Sequence, residues 1–207
     1  KKWGATTVAT TMIFAHLAGI KVFVTGGIGG VHREAEITMD ISSDLQELAS
    51  TPVIVVCAGI KAILDLEKTL EYLETLGVTV LGYKSSTLAD FYSNDSGLKI
   101  DYQMNTPEEI AECMKVKEEY NLKGGLLVSN PIPKEKSLDK KKMDEIINKA
   151  LIEAKQNNIH GKEVTPFLLK KVVELTNGDS LKANIDLIIN NAHLGSEIAK
   201  AYTNYLK

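Results

Sequence analysis

The stretch TPVIVVCAGIKAILDLEKTLEYLETLG, residues 51–77, constrains the fold more than any other part of the chain. Its first half is a continuous apolar run without polar alternation and too short for a buried helix, so it reads as a strand covered on both faces. The run breaks at Gly59, and an amphipathic helix follows with its stop at Gly77. A strand that is dry on both sides needs helices on both sides. That requirement selects a mostly parallel sheet inside a layered α/β domain.

The same grammar recurs along the chain. A helix from Ala5 to Leu17 stops at Gly19 and leads into the short strand IKVFVTGG; VTVLGY is another strand, and GGLLVSNPIP is the last, closed by two prolines. Ser42 or Ser43 is placed to cap a short helix, and Thr106, Pro107 and two early glutamates open a longer one. Residues 84–105 are polar and aromatic without a period and read as a long surface connection, a candidate flap over a site. After Lys134 the pattern is helical: 137–157, then 166–176 from a cap at Thr165 and Pro166, then 180 to about 205. The expected fold is one three-layer α/β/α domain over residues 1–207, with a mostly parallel or mixed sheet and a helical C-terminal region.

Composition narrows the classes of function. With 207 residues, 44% hydrophobic and 25% charged, the chain suits one soluble globular domain. A formal net charge of −3 offers no field for a polyanion, so no nucleic-acid partner is expected. No run approaches the ~18 apolar residues of a membrane span, and no signal peptide opens the chain, so no membrane partner is expected either. Cys57 and Cys113 lie in unrelated contexts and read as small buried hydrophobes in a reducing, cytoplasmic compartment. The opening KKWGATTVATTM starts without methionine and runs directly into a helical pattern, so the chain reads as the continuation of a longer polypeptide.

Ligands of such sheets gather beyond the carboxyl ends of strands, here Thr25-Gly-Gly, Ala58-Gly-Ile-Lys61 and Ser129-Asn-Pro. Glycine-rich VTGGIGGVHR fits an anion or substrate loop or a plain turn better than a dinucleotide site, because the third glycine of that fingerprint falls on His32. His32 and Arg33 could clamp a phosphate or lie on a solvated surface. Asp40 and Asp44, with Ser42 between them, suit a hard cation with oxygen ligands, or simply a surface residue and a first-turn helix acid. Lys61 is the sharpest signal: an ammonium at the end of so apolar a strand is desolvated, and a neutral amine attacks a carbonyl-like carbon. Snorkelling to the surface is the alternative. Asn184 lies on a helix whose inward face is read as Leu181, Ile185, Ile188 and Ile189, and an amide there needs a partner; Asn190 and Asn191 pose the same question.

Taken together, WGATTVATTM, AHLAGIKVFVTGGIGGVHREAEITMDISSDLQELASTPVIVVCAGIKAILD, LEYLETLGVTVLGY, NPIP, GKEVTPFLL and SLKANIDLIINNA resemble the pseudouridine-5′-phosphate glycosidase family, also called indigoidine synthase A-like proteins. The resemblance runs almost from end to end. It implies a metal-dependent enzyme of the carbon–oxygen lyase class that reversibly cleaves pseudouridine 5′-phosphate to uracil and ribose 5-phosphate through a lysine Schiff base. Ordinary two-carboxylate glycosidase chemistry suits such a carbon–carbon bond poorly, because no leaving heteroatom is available to protonate. By the resemblance Lys61 is the nucleophile and Asp40 holds a divalent metal, usually Mn²⁺. Val8, Ser42, Ser43, Asp44 and Asn184 match substrate contacts, with Asp44 also a candidate proton handler. Thr25, His32 and Arg33 are weaker candidates for the phosphate. The family's glutamate proton donor and a further substrate-binding lysine fall upstream of Lys1, and a homotrimer is implied. Competing readings are a Schiff-base lyase or aldolase acting on another sugar phosphate, and a non-catalytic nucleotide-binding module.

Overall fold

In a computed structural model that describes residues 6–159 and 163–205, the sheet is parallel throughout. Among the described residues it contains β1 (Val22–Val24), β2 (Ile54–Cys57), β3 (Thr79–Tyr83), β4 (Tyr102–Met104) and β5 (Leu126–Ser129), in the order β1-β2-β5-β3-β4. The apolar run of residues 53–58 is β2 and its flanks, and every residue of β2 and β5 is buried. Their side chains alternate between two cores, as the period-two pleat requires. Val55, Cys57 and Leu127 face one core, built mainly with α1 (Val8–Leu17), α3 (Ser43–Ser50), α4 (Leu66–Thr75), α6 (Lys140–Gln156) and α7 (Val164–Leu175). Ile54, Val56, Leu126 and Val128 face the other, covered by α5 (Pro107–Glu119) and α8 (Asp179–Asn204). The expected three layers are therefore present.

Local signals account for most helix starts. Ser42 accepts the Asp44 N–H at the head of α3, Asp65 and Asp139 do the same for α4 and α6, and Thr106 with Glu109 forms a complete capping box on α5. One helical turn, α2 (Ala35–Thr38), interrupts the stretch that reads as irregular in sequence. Helix α7 starts at Val164, with Glu163 and not Thr165 in the capping position.

Two expectations are corrected. The connection 84–105 is no flap: residues 88–93 are buried, and its end supplies the short outer strand β4. Leu88, Phe91 and Tyr92 are apolar without a period, so their burial depends on distant partners that spacing does not reveal. Helix α8 is also rotated from the expected orientation. Leu181, Ile185, Ile188 and Ile189 are exposed, whereas Ala183, Leu187, Asn191, Leu194, Gly195 and Ile198 face inward. Both rows have helical spacing, and the small residue decides: Gly195 lets the helix settle on Val24, where a Cβ would collide with that side chain.

Asn191, fully buried, shows what the inward face does. Its Nδ2 donates to the carbonyl of Thr25 at 2.9 Å, and its Oδ1 accepts from Asn130 Nδ2 at 3.0 Å. Asn190 Nδ2 donates to the Pro131 carbonyl at 3.1 Å. One helix thereby grips the carboxyl ends of β1 and β5, the two neighbours of β2.

Candidate active site

Beyond β1 and β2 the chain makes two glycine turns that continue the parallel ladder after the strands have ended. Thr25 N–H donates to Val56 O, Ala58 N–H to Gly26 O, Ile28 N–H to Gly59 O and Lys61 N–H to Ile28 O, all between 2.8 and 3.1 Å. Gly59 has φ +86°, and a Cβ there would strike the Ala89 carbonyl. The half-buried Lys61 is thus carried on a backbone fixed on two sides.

Lys61 opens into a cavity of about 340 Å³. Thr6, Thr7 and Val8 at the head of α1 form one wall, Gly29 and His32 another, Ser42 and Asp44 a third, with Leu64 and Thr165 completing it. Of the sequence candidates, the fold brings together Lys61, Val8, Ser42, Asp44 and His32. Nothing in the sequence marks Thr6, Thr7 and Thr165 as site residues, since a threonine near a helix start carries no sign of what it faces.

Asp44 is the organising group of this cavity. It is buried, at 3% exposure, and its Oδ1 accepts the Ala9 N–H at 2.9 Å while Oδ2 accepts the Gly29 N–H at 2.8 Å. One carboxylate therefore joins the first turn of α1, the glycine turn beyond β1 and α3. Gly29 has no room for a side chain: a Cβ there would run into Ser42 and lie 2.8 Å from Asp44 Oδ2.

The remaining candidates lie elsewhere. Thr25 spends its backbone on Val56 and Asn191 and does not line the cavity. Ser43 is exposed in the first turn of α3. Asn184 sits over Gly26, its Oδ1 3.2 Å from where a Cβ on that glycine would stand, outside the lining of the Lys61 cavity. Arg33 donates from Nη1 to Asn148 Oδ1 at 3.2 Å and lines two other cavities. Asp40 lines the neighbouring cavity of about 230 Å³, which shares His32 with the first; its Oδ2 is 3.7 Å from His32 Nδ1.

A divalent cation at Asp40 would find one partly exposed carboxylate with Thr38 nearby. Among the described residues no group of three or more His, Cys, Asp or Glu forms a cation cage. The donor set fits a hard, largely hydrated ion and not a dehydrated one. Burial pushes the Cys57 thiol up to about 12, so it stays protonated and offers no competing nucleophile beside Lys61. Replacing Asp44 by Ala leaves two amide donors without partners and is expected to cost about 2–4 kcal/mol of stability. An unchanged urea midpoint for Asp44→Ala would contradict this role.

Comparison with known proteins gives this geometry its context. The profile of the family described as "Indigoidine synthase A like protein" matches residues 1–201. A protein of Petrotoga mobilis called pseudouridine-5′-phosphate glycosidase is 61% identical over 198 residues, covering 96% of this chain and 65% of its own. One of the same name from Staphylococcus aureus is 57% identical over 203 residues, covering 98% of this chain and 66% of its own. The chain thus spans slightly under two thirds of the length of these relatives. Among solved structures, the prealnumycin C-glycosynthase AlnA in complex with ribulose 5-phosphate superposes with TM-score 0.93 at 37% identity, over 98% of this chain and 67% of the other. An indigoidine synthase A-like protein of Thermotoga maritima gives 0.87 at 40% identity, over 95% of this chain and 64% of its own. The chain, with its lysine-bearing turn beyond β2, belongs to the indigoidine synthase A-like family.

Proposed function

We propose that this chain carries the nucleophile of a pseudouridine-5′-phosphate glycosidase, releasing uracil and ribose 5-phosphate reversibly through an imine on Lys61. The observation that carries the reading is the presence of Lys61, Ser42 and Asp44 around one cavity that Thr6, Thr7 and Thr165 also line. Hydroxyls of Thr6, Thr7, Ser42 and Thr165 suit the hydroxyls and phosphate oxygens of a pentose phosphate. The similarity of the chain to proteins of that name supports the substrate class.

The chemistry follows from the amine. Lys61 Nζ bonds to the anomeric carbon while the ring C–O bond breaks and its oxygen takes a proton. The nitrogen lone pair then expels the base: the C–C bond breaks toward uracil C5, which is protonated there, and the pentose stays on lysine as an iminium. Water hydrolyses the iminium, freeing the amine and ribose 5-phosphate. No leaving heteroatom is required, because the nitrogen supplies the electron pair that expels the base and protonation at uracil C5 takes up the pair of the broken C–C bond. The acid that serves uracil C5 is assigned by the family resemblance to a glutamate upstream of Lys1. Incubation with ribose 5-phosphate and borohydride is expected to add a reduced pentose phosphate to Lys61, and Lys61→Ala should abolish the label. Label on another residue would overturn the assignment.

A second reading has its own support. The structural similarity to a C-glycosynthase favours carbon–carbon glycoside chemistry with a different acceptor at the same lysine. Uracil-dependent turnover separates the two.

Asp40 would hold a hydrated Mn²⁺ or similar cation, which when bound supplies charge stabilisation beside the sugar phosphate. Mn²⁺ binding followed by electron paramagnetic resonance should be lost in Asp40→Asn, and retention would remove the ion from Asp40. A homotrimer is part of the same proposal. Phe14 and Leu17 on α1 and Ile185 and Ile189 on α8 are exposed apolar groups suited to burial against other protein. Sedimentation of the intact protein is expected to give three copies, and a monomer would refute it. No helix among the described residues is long and apolar enough to cross a membrane. Two free cysteines support the cytoplasm as the compartment.

A further inference from the structure

The buried part of the connection between β3 and β4 touches the lysine-bearing turn without lining its cavity. Phe91 N–H donates to the Ala58 carbonyl at 3.0 Å, and Ala89 N–H donates to Ser129 Oγ at 2.9 Å. The Phe91 ring lies on Gly27, where a Cβ would stand 2.6 Å from the ring edge. The Ala89 carbonyl occupies the space a Cβ on Gly59 would need. Phe91 itself adopts φ +53°, a left-handed backbone that bulky residues avoid and that persists only where surroundings impose it. Its ring is nearly fully buried and meets Tyr92 edge to face at 4.7 Å between centroids.

These contacts fall on both turns that define Lys61. Gly27 precedes Ile28, whose carbonyl accepts the Lys61 N–H at 3.1 Å, while Ala58 and Gly59 lead directly into Ile60-Lys61. Phe91 and Ala89, distant from Lys61 in sequence, thus pack on both turns close to where they meet.

We propose that Phe91 is a positioning residue for Lys61, its ring wedged on Gly27 so that the paired glycine turns present the amine at one fixed place over the cavity. The consequence for reaction rests on the imine reading above, whereas the mechanical claim does not. Val8, Ser42 and Asp44 stand on other elements, so loss of the wedge spares substrate affinity and slows bond formation. A displacement on the order of 1 Å in a nucleophile costs up to ~100-fold in rate.

The test uses the intact protein in four forms: wild type, Phe91→Ala, Gly27→Ala, and the double variant. Three quantities are read: the maximal rate of borohydride-trappable adduct formation with ribose 5-phosphate, the KM of that reaction, and the amide hydrogen exchange of Ile60 and Lys61. Phe91→Ala should slow adduct formation by at least ~10-fold with KM changed less than about threefold, and exchange at both amides should accelerate. Gly27→Ala should behave similarly, because its methyl meets the ring. The double variant, in which the methyl occupies space the ring has left, should recover most of both. A merely structural role would show no such reciprocal rescue. If Phe91→Ala does not fold, Phe91→Leu and its pairing with Gly27→Ala carry the same comparison.

Unchanged rates and unchanged exchange in the Phe91 variants would overturn the proposal, as would a loss confined to KM. Should wild type form no adduct at all, the imine reading fails, and the exchange data alone decide whether Phe91 holds the turn.

Discussion

Everything at this site depends on a short run of backbone hydrogen bonds that lies outside the regular sheet. Strands β1 and β2 end at Val24 and Cys57, yet their ladder continues through Gly26–Ala58, Ile28–Gly59 and Lys61–Ile28. Side chains on loops ordinarily inherit the mobility of the loop. Here the loop behaves as an extension of the sheet, so Lys61 inherits the rigidity of β2, which is buried along its whole length. The glycines make this extension possible. At Gly27 and Gly59 the space of a side chain is already taken by Phe91 and by the Ala89 carbonyl.

Buried polar groups tie the strand ends to the helices around them. Asp44 places its two carboxylate oxygens on backbone amides of α1 and of the glycine turn, and Asn191 links α8 to Thr25 and Asn130. No buried side-chain nitrogen or oxygen among the described residues lacks a hydrogen-bond partner. Full satisfaction is what allows polar groups in such a place at all, since an orphaned one costs about 1–3 kcal/mol. The same bonds organise function: with α1 and α3 joined at Asp44, Val8 and Ser42 line one cavity together with Lys61.

Much of this was legible before any coordinates. The double-faced apolar run demanded a parallel sheet, Ser42 and Thr106 announced helix starts, and Lys61 stood out because an amine ends so dry a strand. The errors share one cause. Leu181, Ile185, Ile188 and Ile189 form as good a helical row as Ala183, Leu187 and Leu194, so spacing could not choose between two faces of α8. Residues 88–93 have no period to read, and their burial comes from Gly27, Ala58 and Ser129, far away in the chain. Strand β4 has three residues, two of them exposed at the sheet edge, and leaves almost no trace in composition. Asn184 draws notice in the sequence as an amide beside a helix face read as inward; that face is exposed, and spacing could not say that Asn184 sits over Gly26 and outside the cavity lining.

What the chain determines by itself is local. Alternation between dry strands and amphipathic helices, the caps, the glycine turns and the lone lysine are set by neighbours within a few residues, where steric and hydrogen-bonding rules act directly. Only the tertiary structure decided which side of α8 is buried, that the aperiodic connection becomes a wedge behind Lys61, and that Asp44 is shared between elements 35 residues apart. Those outcomes are choices among locally equivalent alternatives. They are settled by close packing and by the need of every buried polar atom for a partner, and both constraints act between parts of the chain that sequence spacing does not connect.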